Sequence, residues 1–313
     1  MSLRLLAAGT YTIVVDGGRP RSRGLGIPVG GPADATSLAL GNALVGNVPG
    51  TPALEFTLTG PKLVAETDVG MCVFGAPFRL ERDGESLEAG HTFTLHAGQS
   101  LQIGGTPIGC RAYLCVVGGF DVPLVLESAT SFDPLKAGDL LKCETSRLPG
   151  RSLATEEEAE PDARSEGGAL PSLRASGSAL RCLPGPQADW FDDAFYRNTF
   201  RVTPASNRMG VRLDGPPLAA PNRELVSEAV APGAVQITND GKPIVLGVDG
   251  QTIGGYPKVA HVISADLDAL GQLRPGNEVH FERVSEYAAE AAAVRRRDTL
   301  RRWLRRIGMN RQL

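Results

Sequence analysis

Short apolar runs recur along most of the chain, and each is bounded by glycine, proline, asparagine or aspartate. Runs of this length between turn-forming residues are typical of β-strands rather than helices. The pattern therefore predicts a mainly β protein built from many short strands. The predicted strands are YTIVV, ALEFTL, MCVFG, FTLH, RAYLCVVGG, GVRLDG, GAVQI, KPIVLGV, VAHVIS and EVHFERV.

Two segments have helical periodicity instead. In PADATSLALGNALVGN, Asp34 is the predicted N-cap and Gly46–Asn47 the predicted end of the helix. A second helix is predicted from Ser285 to about Ile307, near the end of the chain. Its apolar residues follow the i, i+3, i+4, i+7 pattern; they are Leu300, Trp303, Leu304 and Ile307.

A polar segment at 144–180 divides the strand-rich sequence into two parts. It is rich in Ser, Glu, Ala, Gly and Pro and poor in aromatic residues, so it cannot bury enough apolar surface to offset the entropy lost on ordering. A flexible linker is therefore expected there. The predicted organisation is a first β subdomain at 1–143, this linker, a second β subdomain at 181–283 and a basic C-terminal helix at 284–313.

The two halves share a sequence pattern. Leu58–Leu63 and Leu213–Leu218 both read L-x-G-P-x-L. In each half a later Pro-Ile is followed, eleven positions on, by Gly-Gly and an aromatic residue, over Pro107–Gly118 and Pro243–Gly254. The shared order and spacing favour two copies of one β-rich fold. Domain interfaces are frequent ligand sites, so a groove between the copies is an expected site.

Composition excludes several classes of function. A net charge of −3 does not favour a nucleic-acid-binding surface. The five cysteines are odd in number and lack CxxC spacing, which favours buried, reduced thiols and a cytoplasmic location. The four histidines are scattered and predict no metal site. The N-terminal sequence does not resemble a signal peptide, and no apolar run is long enough to predict a membrane span.

Common catalytic signatures are missing from the sequence. It contains neither the GxxxxGK[ST] pattern of a P-loop nor a GxSxG elbow. The glycine-rich GLGIPVGGP lacks the spacing of a dinucleotide-binding loop, and we interpret it as a turn-rich approach to the first helix.

Polar side chains cluster instead around glycine-containing turns. Arginine can bind a carboxylate through two hydrogen bonds, and glycine lets a ligand approach the backbone. Such residues could bind a small polar amide or carboxylate. Alternatively, Asp16, Asn239 and Asp240 only form Asx turns. The candidates are Asp16, Arg19, Arg208, Gln236, Asp240, Gln251, Thr252 and Tyr256.

The C-terminal helix carries seven arginines between Arg295 and Arg306. The favoured interpretation is a solvated face opposite one apolar stripe. The alternative is a surface for an anionic membrane or an acidic partner.

Several stretches of the sequence resemble the carboxyltransferase subdomain A/B family, over roughly residues 3–283. This family includes the C subunit of 5-oxoprolinase, proteins similar to allophanate hydrolase subunit 2, and part of urea carboxylase. The stretches are GPADATSLALGNALVGN, ALEFTLTGPKL, RAYLCVVGGFDVP, LPGPQADWF, NRMGVRLDGPPL, SEAVAPGAVQI and GQTIGGYPKVAHVISADLDALGQLRPGNEVHF.

The resemblance implies two cyclophilin-like β-barrel subdomains, with few helices and a C-terminal α-helix. It also implies a subunit-B-like partner and a possible third component, the A subunit. In such a complex, 5-oxoproline is hydrolysed to glutamate while ATP is consumed. ATP is therefore the cofactor expected of the complex, and biotin is expected only if the chain acts in a urea-carboxylase-like system.

This chain also departs from the family pattern. Ala129 and Gly250 replace arginines, and the segment at 127–139 is shorter than the family's. Other family residues, several with hydroxyl or amide side chains, are replaced by Ile13, Val15, Gly30, Ala33 and Ile253. These changes remove donors for a carboxylate ligand and favour, as an alternative function, a regulatory or binding protein without catalysis. Asp34 and Glu55 join the candidate site residues above as matches to the family.

Overall fold

The computed structural model describes residues 2–152, 179–219, 223 and 225–309. Contacts between Cα atoms divide the chain into two compact units. Unit 1 comprises the described residues of Met1–Gly18, Asp34–Leu173 and Arg301–Leu313; unit 2 comprises those of Arg19–Ala33 and Arg174–Leu300. Most of the predicted linker, 153–178, lies outside the described residues.

Unit 1 is formed by two antiparallel sheets. Within the described residues their strand orders are β11-β12-β1-β4-β9-β6-β7 and β2-β3-β10-β5-β8. A shared apolar core, which includes Leu54, Phe56 and Leu114, lies in this unit. The strands are β1 Ser2–Ala7, β2 Tyr11–Val15, β3 Ala53–Thr57, β4 Lys62–Ala65, β5 Val69–Gly75, β6 Leu80–Arg82, β7 Glu85–Leu87, β8 Thr92–Leu95, β9 Ser100–Ile103, β10 Arg111–Val116, β11 Phe120–Asp121 and β12 Leu140–Cys143.

The first predicted helix is confirmed as α1, Ala35–Val45. The Asp34 side chain accepts a hydrogen bond from the Ser37 amide, and Gly46 ends the helix in the left-handed conformation, as predicted. The helix packs against β5 and β10. A Cβ at Gly41 would lie 2.9 Å from the Sγ atom of Cys115, so glycine is needed for this close approach.

Unit 2 contains a closed barrel with the strand order β13-β20-β17-β18-β15-β14-β21. Strands β16 and β19 form a separate two-stranded ribbon. The barrel core includes Phe195, Phe200 and Phe281, whose rings pack together. The elements are β13 Ala179–Pro184, α2 Ala194–Arg197, β14 Phe200–Val202, β15 Gly210–Asp214, β16 Glu228–Ala229, β17 Ala234–Ile237, β18 Pro243–Leu246, β19 Ile253–Gly254, β20 Lys258–Val262, α3 Leu267–Gly271 and β21 Glu278–Arg283.

The two faces of β17 have different environments. Val235 and Ile237 belong to the barrel core. Since side chains alternate along a strand, Ala234 and Gln236 point to the other face. There Ala234 packs with Val230 and Leu246 in a small separate apolar cluster. Gln236 therefore lies outside the barrel core, although it is only 2% exposed.

The mainly β class predicted from the sequence is confirmed, and each strand named from the sequence overlaps an observed strand. The predicted C-terminal helix is confirmed as α4, Glu286–Met309. Short 3-10 helices occur at Arg23–Leu25, Ala188–Trp190 and Ser264–Asp266. No helix among the described residues is long and apolar enough to cross a membrane.

The sequence pattern shared by the two halves has a partial structural counterpart. In each half, the strand that leads into or overlaps L-x-G-P pairs antiparallel with the strand that follows or contains Pro-Ile: β3 with β10, and β15 with β18. The glycine pairs differ, however. Gly118 and Gly119 both have positive φ in the turn after β10, whereas Gly254 lies within β19.

The arginine-rich part of α4 is largely exposed, as expected of a solvated face, while Ile307 is buried. Arg296 forms a salt bridge with Asp268, and the Arg306 guanidinium lies 5.5 Å from the ring centre of Trp303. Arginine side chains of this helix thus also make contacts within the chain.

Candidate functional site

The Asp16 carboxylate, directly after β2, is buried and saturated with hydrogen bonds. Its Oδ1 atom accepts from the Gly18 amide at 2.9 Å, the Ser128 hydroxyl at 2.5 Å and the Thr130 hydroxyl at 2.8 Å. Its Oδ2 atom accepts from the Ala129 amide at 2.7 Å. The carboxylate therefore fastens the 128–130 loop to the end of β2.

These hydrogen bonds control the charge of Asp16. Burial alone raises the pKa of the carboxyl, but the donors from Ser128, Ala129, Thr130 and Gly18 together outweigh it and lower the pKa. The carboxylate is consequently ionised at neutral pH, with its oxygens directed at this chain's own loop.

Asp34 and Glu55 are brought together by a residue that sequence reasoning missed. The Asp34 amide donates to the Tyr113 hydroxyl at 2.8 Å, and that hydroxyl donates to Glu55 Oε2, also at 2.8 Å. Arg111 forms a salt bridge with the other Glu55 oxygen. Burial, together with the charges of Glu55 and Asp34, raises the pKa of Tyr113 well above its ordinary value, so the phenol stays protonated.

Arg208 forms a bidentate salt bridge with Asp249, with Nε–Oδ2 at 2.6 Å and Nη2–Oδ1 at 3.0 Å. Its Nη2 atom also donates to the Gly31 carbonyl at 2.7 Å. Gly31 has a φ of 74°, which favours glycine. Arg19 lies in the same early segment, where its amide donates to the Val29 carbonyl at 2.7 Å. A hydrogen bond thus connects the glycine-rich segment GLGIPVGGP to Arg208 within unit 2.

Gln236 and Gln251 meet at Gly254. A Cβ built on Gly254 would lie 2.5 Å from Gln236 Nε2 and 2.8 Å from Gln251 Nε2. The absence of a side chain at this position of β19 therefore leaves room for both amide groups. Gln236 Nε2 is buried and has no hydrogen-bond partner among the described residues.

Lys258, the first residue of β20, stands opposite Gln236 in the pairing of β17 with β20. Its side chain is 5% exposed, and its Nζ atom lies 3.1 Å from Glu228 Oε2. Nζ is buried in this salt bridge and forms no hydrogen bond within the described part of the chain.

Gln187 contacts both members of the Lys258–Glu228 salt bridge. It donates through Nε2 to Glu228 Oε1 at 3.3 Å and accepts through Oε1 from the Lys258 amide at 3.0 Å. A Cβ at Gly185 would lie 2.2 Å from the Lys258 carbonyl oxygen, so the backbones come too close for any side chain. The segment LPGPQADWF therefore fixes the position of the Lys258 backbone.

Three residues of this group were not predicted from the sequence: Lys258, Glu228 and Gln187. A usable signal was present: a lysine directly after proline, at the start of the apolar run VAHVI. Lysine is rarely buried in such a run unless it is paired.

Three of the remaining candidates lie apart from these clusters of polar contacts: Thr252, Tyr256 and Asp240. Thr252 is buried, and its carbonyl accepts from the Val230 amide at 3.0 Å, beside the ribbon. Tyr256 is 37% exposed. Asp240 is exposed in the turn between β17 and β18, where its carboxylate accepts from the Thr238 hydroxyl. That hydrogen bond is the main reason that the pKa of Asp240 is lowered.

The surroundings of Ala129 and Gly250 show why these two positions, where the family pattern has arginine, hold small residues in this chain. Ala129 is 4% exposed and packs with the core of unit 1. A Cβ at Gly250 would lie 2.9 Å from the carbonyl oxygens of Gly247 and Met209. Neither position accepts an arginine side chain without movement of the surrounding residues.

Chemically, these clusters differ in what they can bind. The Asp16 carboxylate is occupied by the chain's own donors. The group formed by Gln236, Lys258 and Glu228 offers two buried nitrogen donors on opposing residues of adjacent strands, one of them in contact with a carboxylate acceptor. This arrangement can recognise a ligand with adjacent carbonyl and N–H groups.

Comparisons with known proteins identify a family and several similar proteins. A family model described as carboxyltransferase domain, subdomain A and B, matches residues 25–283. The chain is 39% identical to the 5-oxoprolinase C subunit of Escherichia coli, over 90% of this chain and 91% of that protein. It is 35% identical to the 5-oxoprolinase C subunit of Haemophilus influenzae, over 95% of each. The solved structure of Kluyveromyces lactis urea carboxylase is 29% identical with a TM-score of 0.83, covering 96% of this chain and 29% of that one.

Proposed function

We propose, from the premise that the chain belongs to the carboxyltransferase subdomain A and B family, that it is a subunit-C-like component of an ATP-dependent 5-oxoprolinase. In this function it acts with a subunit-B-like partner to convert 5-oxoproline to glutamate. The observation that carries the proposal is similarity over nearly the whole length of both this chain and the 5-oxoprolinase C subunit of Escherichia coli.

The chemistry of the substrate explains the need for a complex. The lactam of 5-oxoproline is a stable amide and a poor electrophile, so its opening is coupled to ATP. The sequence contains no P-loop, and we assign to this chain binding of the lactam rather than P-loop binding of ATP. Its buried amide donors and acceptors suit that role. The five free, buried cysteines fit a protein of the reducing cytoplasm.

Reconstitution tests the proposal. The chain is combined with its subunit-B and subunit-A partners, and glutamate release from 5-oxoproline is followed with and without ATP. We expect glutamate release only with ATP and with this chain present. A complete complex that releases no glutamate would contradict the proposal.

Carboxyl transfer to an amide nitrogen is a second candidate, supported by the fold similarity to urea carboxylase. This function needs a biotin carrier on a separate chain or domain. Avidin, which sequesters biotin, should then abolish the activity, whereas 5-oxoprolinase turnover should be insensitive to avidin. A non-catalytic regulatory role, suggested by Ala129 and Gly250, predicts complex formation without either reaction.

A further inference from the structure

Among the buried nitrogen atoms of unit 2 that lack a hydrogen-bond partner in the described part of the chain, two lie on neighbouring strands: Gln236 Nε2 and Lys258 Nζ. They belong to residues that are 2% and 4% exposed. Buried donors are almost always paired, because leaving them unpaired carries the full cost of desolvation. Lys258 has three N–H bonds, of which its salt bridge with Glu228 can occupy one, so its other N–H bonds and the Gln236 amide on the adjacent strand indicate a missing acceptor.

An acceptor lies next to Lys258. Glu228 Oε2 is 3.1 Å from Lys258 Nζ, and the Glu228 side chain is 40% exposed. Its other oxygen is held by Gln187. Lys258 thus places an N–H donor beside a carboxylate acceptor, and Gln236 supplies a second donor from the opposing residue of the adjacent strand.

The pattern selects among ligand chemistries. A simple carboxylate would gain from Lys258 but would be repelled by Glu228. A lactam or urea-type group presents a carbonyl oxygen and an N–H on the same side, so it can accept from Lys258 or Gln236 while donating to Glu228. A neutral cis-amide satisfies the donors and the acceptor at once.

We propose that Gln236, Lys258 and Glu228 form the binding site for a small cis-amide, with the ligand carbonyl facing the two nitrogens and the ligand N–H facing the carboxylate. Gly254 leaves the space that the amide groups occupy, and Gln187 positions both charged residues. The inference deepens the proposed function, on which it rests for the choice of 5-oxoproline as a natural ligand.

Titration calorimetry with the full chain, without ATP or partners, tests the site. The probes are 5-oxoproline, 2-pyrrolidone and N-methyl-2-pyrrolidone, of which the last lacks the amide hydrogen. We expect the first two to bind and the N-methyl compound to bind at least about tenfold more weakly, as expected for one lost hydrogen bond to a buried charged group. Equal binding of all three, or no binding of any, would overturn the proposal.

Variants locate the binding on these residues. Lys258→Met and Gln236→Leu should each weaken 2-pyrrolidone binding by about tenfold or more. Lys242→Met is the matched control, because Lys242 forms its salt bridge with Asp214 in the same unit. Wild-type affinity in Lys258→Met, or an equal loss in Lys242→Met, would contradict the assignment.

Gly254→Ala provides a variant in which the fold is preserved. The nearest atoms that its Cβ would meet are the ends of two flexible glutamine side chains, so the backbone can stay while the Gln236 amide is displaced. We expect an unchanged circular dichroism spectrum together with weakened 2-pyrrolidone binding. Unchanged affinity would count against a role for the Gln236 amide.

The outcomes separate this inference from the proposed function. Binding that depends on Lys258, in a complex that releases no glutamate, would retain the site and reject the 5-oxoprolinase proposal. Glutamate release with an unchanged KM in the Lys258→Met complex would do the reverse.

Discussion

Asp16 in unit 1 and the Gln236–Lys258 pair in unit 2 are buried polar residues at or near strands. They differ in whether their buried polar atoms have hydrogen-bond partners within the chain. The Asp16 carboxylate accepts from donors at Gly18, Ser128, Ala129 and Thr130. The Gln236 and Lys258 nitrogens have no hydrogen-bond partner among the described residues. The first arrangement stabilises a loop, and the second leaves hydrogen-bonding capacity for a ligand.

The comparison shows that burial and polarity alone do not identify a binding residue. A carboxylate that is saturated by its own chain contributes to stability, and its removal exposes several unpaired donors. Buried donors without acceptors cost stability instead, and proteins keep such groups where function requires them. The two clusters should therefore respond to substitution with opposite changes in stability.

The largest expected effect is that of Asp16→Ala. Because it leaves the buried donors of the 128–130 loop without an acceptor, we expect the free energy of unfolding to fall by about 3 kcal/mol. Guanidinium denaturation measures it. Asp240→Ala is the control, since Asp240 is exposed in a hairpin turn, and its denaturation midpoint should stay close to that of the wild type. Equal effects of the two substitutions would undermine the comparison.

Gly185→Ala should have the next largest effect. The new Cβ would meet the Lys258 carbonyl oxygen at 2.2 Å, so the backbone must move, at a cost of about 2 kcal/mol. Gly24→Ala is the matched control, because a Cβ at Gly24 meets nothing within 4 Å. Thermal unfolding of both variants checks the prediction, and a Gly185→Ala protein as stable as the Gly24→Ala protein would contradict it.

Gln236→Leu should change stability in the opposite direction to Asp16→Ala. An apolar side chain of similar size removes an unpaired buried amide, so the free energy of unfolding should stay the same or rise by up to about 1 kcal/mol. Denaturation of the variant beside the wild type provides the measurement. A loss of several kcal/mol would mean that the amide is paired in solution.

The smallest effect is a pH dependence. The pKa of Asp16 is lowered in the folded chain, so its contribution is complete above its unfolded pKa of about 4 and is lost as pH falls through the folded value. The difference in unfolding free energy between the wild type and Asp16→Asn should therefore narrow in acid. A difference that stays constant from neutral pH to well below pH 4 would show that Asp16 does not titrate in this way.

Local patterns predicted helices α1 and α4 and ten of the strands that the structure describes. Helix α1, its Asp34 N-cap and its Gly46 end follow from turn and capping chemistry that acts within a few residues. The strands follow from short apolar runs between turn-forming residues. The grouping of 19–33 with the second unit depends on contacts far along the chain, such as Arg208 with the Gly31 carbonyl, which no local pattern encodes.

The sequence predicted which residues are candidates for the site, but it did not predict the structural role of each. Asp16 and Gln236 were both selected because they lie near glycine-containing turns. Only the tertiary structure shows that the Asp16 carboxylate binds a loop of its own chain and that Gln236 lies opposite Lys258. Lys258 was missed because a lysine at a strand end is usually exposed, whereas here it is buried in contact with Gln187 and Glu228.

The most direct test of the central claim is the response of side-chain amides in nuclear magnetic resonance spectra on addition of 2-pyrrolidone. The Gln236 amide is assigned by its loss in Gln236→Leu. The Asn47 amide serves as the internal reference, because it already donates to Asn42 Oδ1 and to the Val116 carbonyl. We predict that the Gln236 signals shift with saturation while the Asn47 signals do not. Unchanged Gln236 signals in the presence of bound ligand would contradict the account.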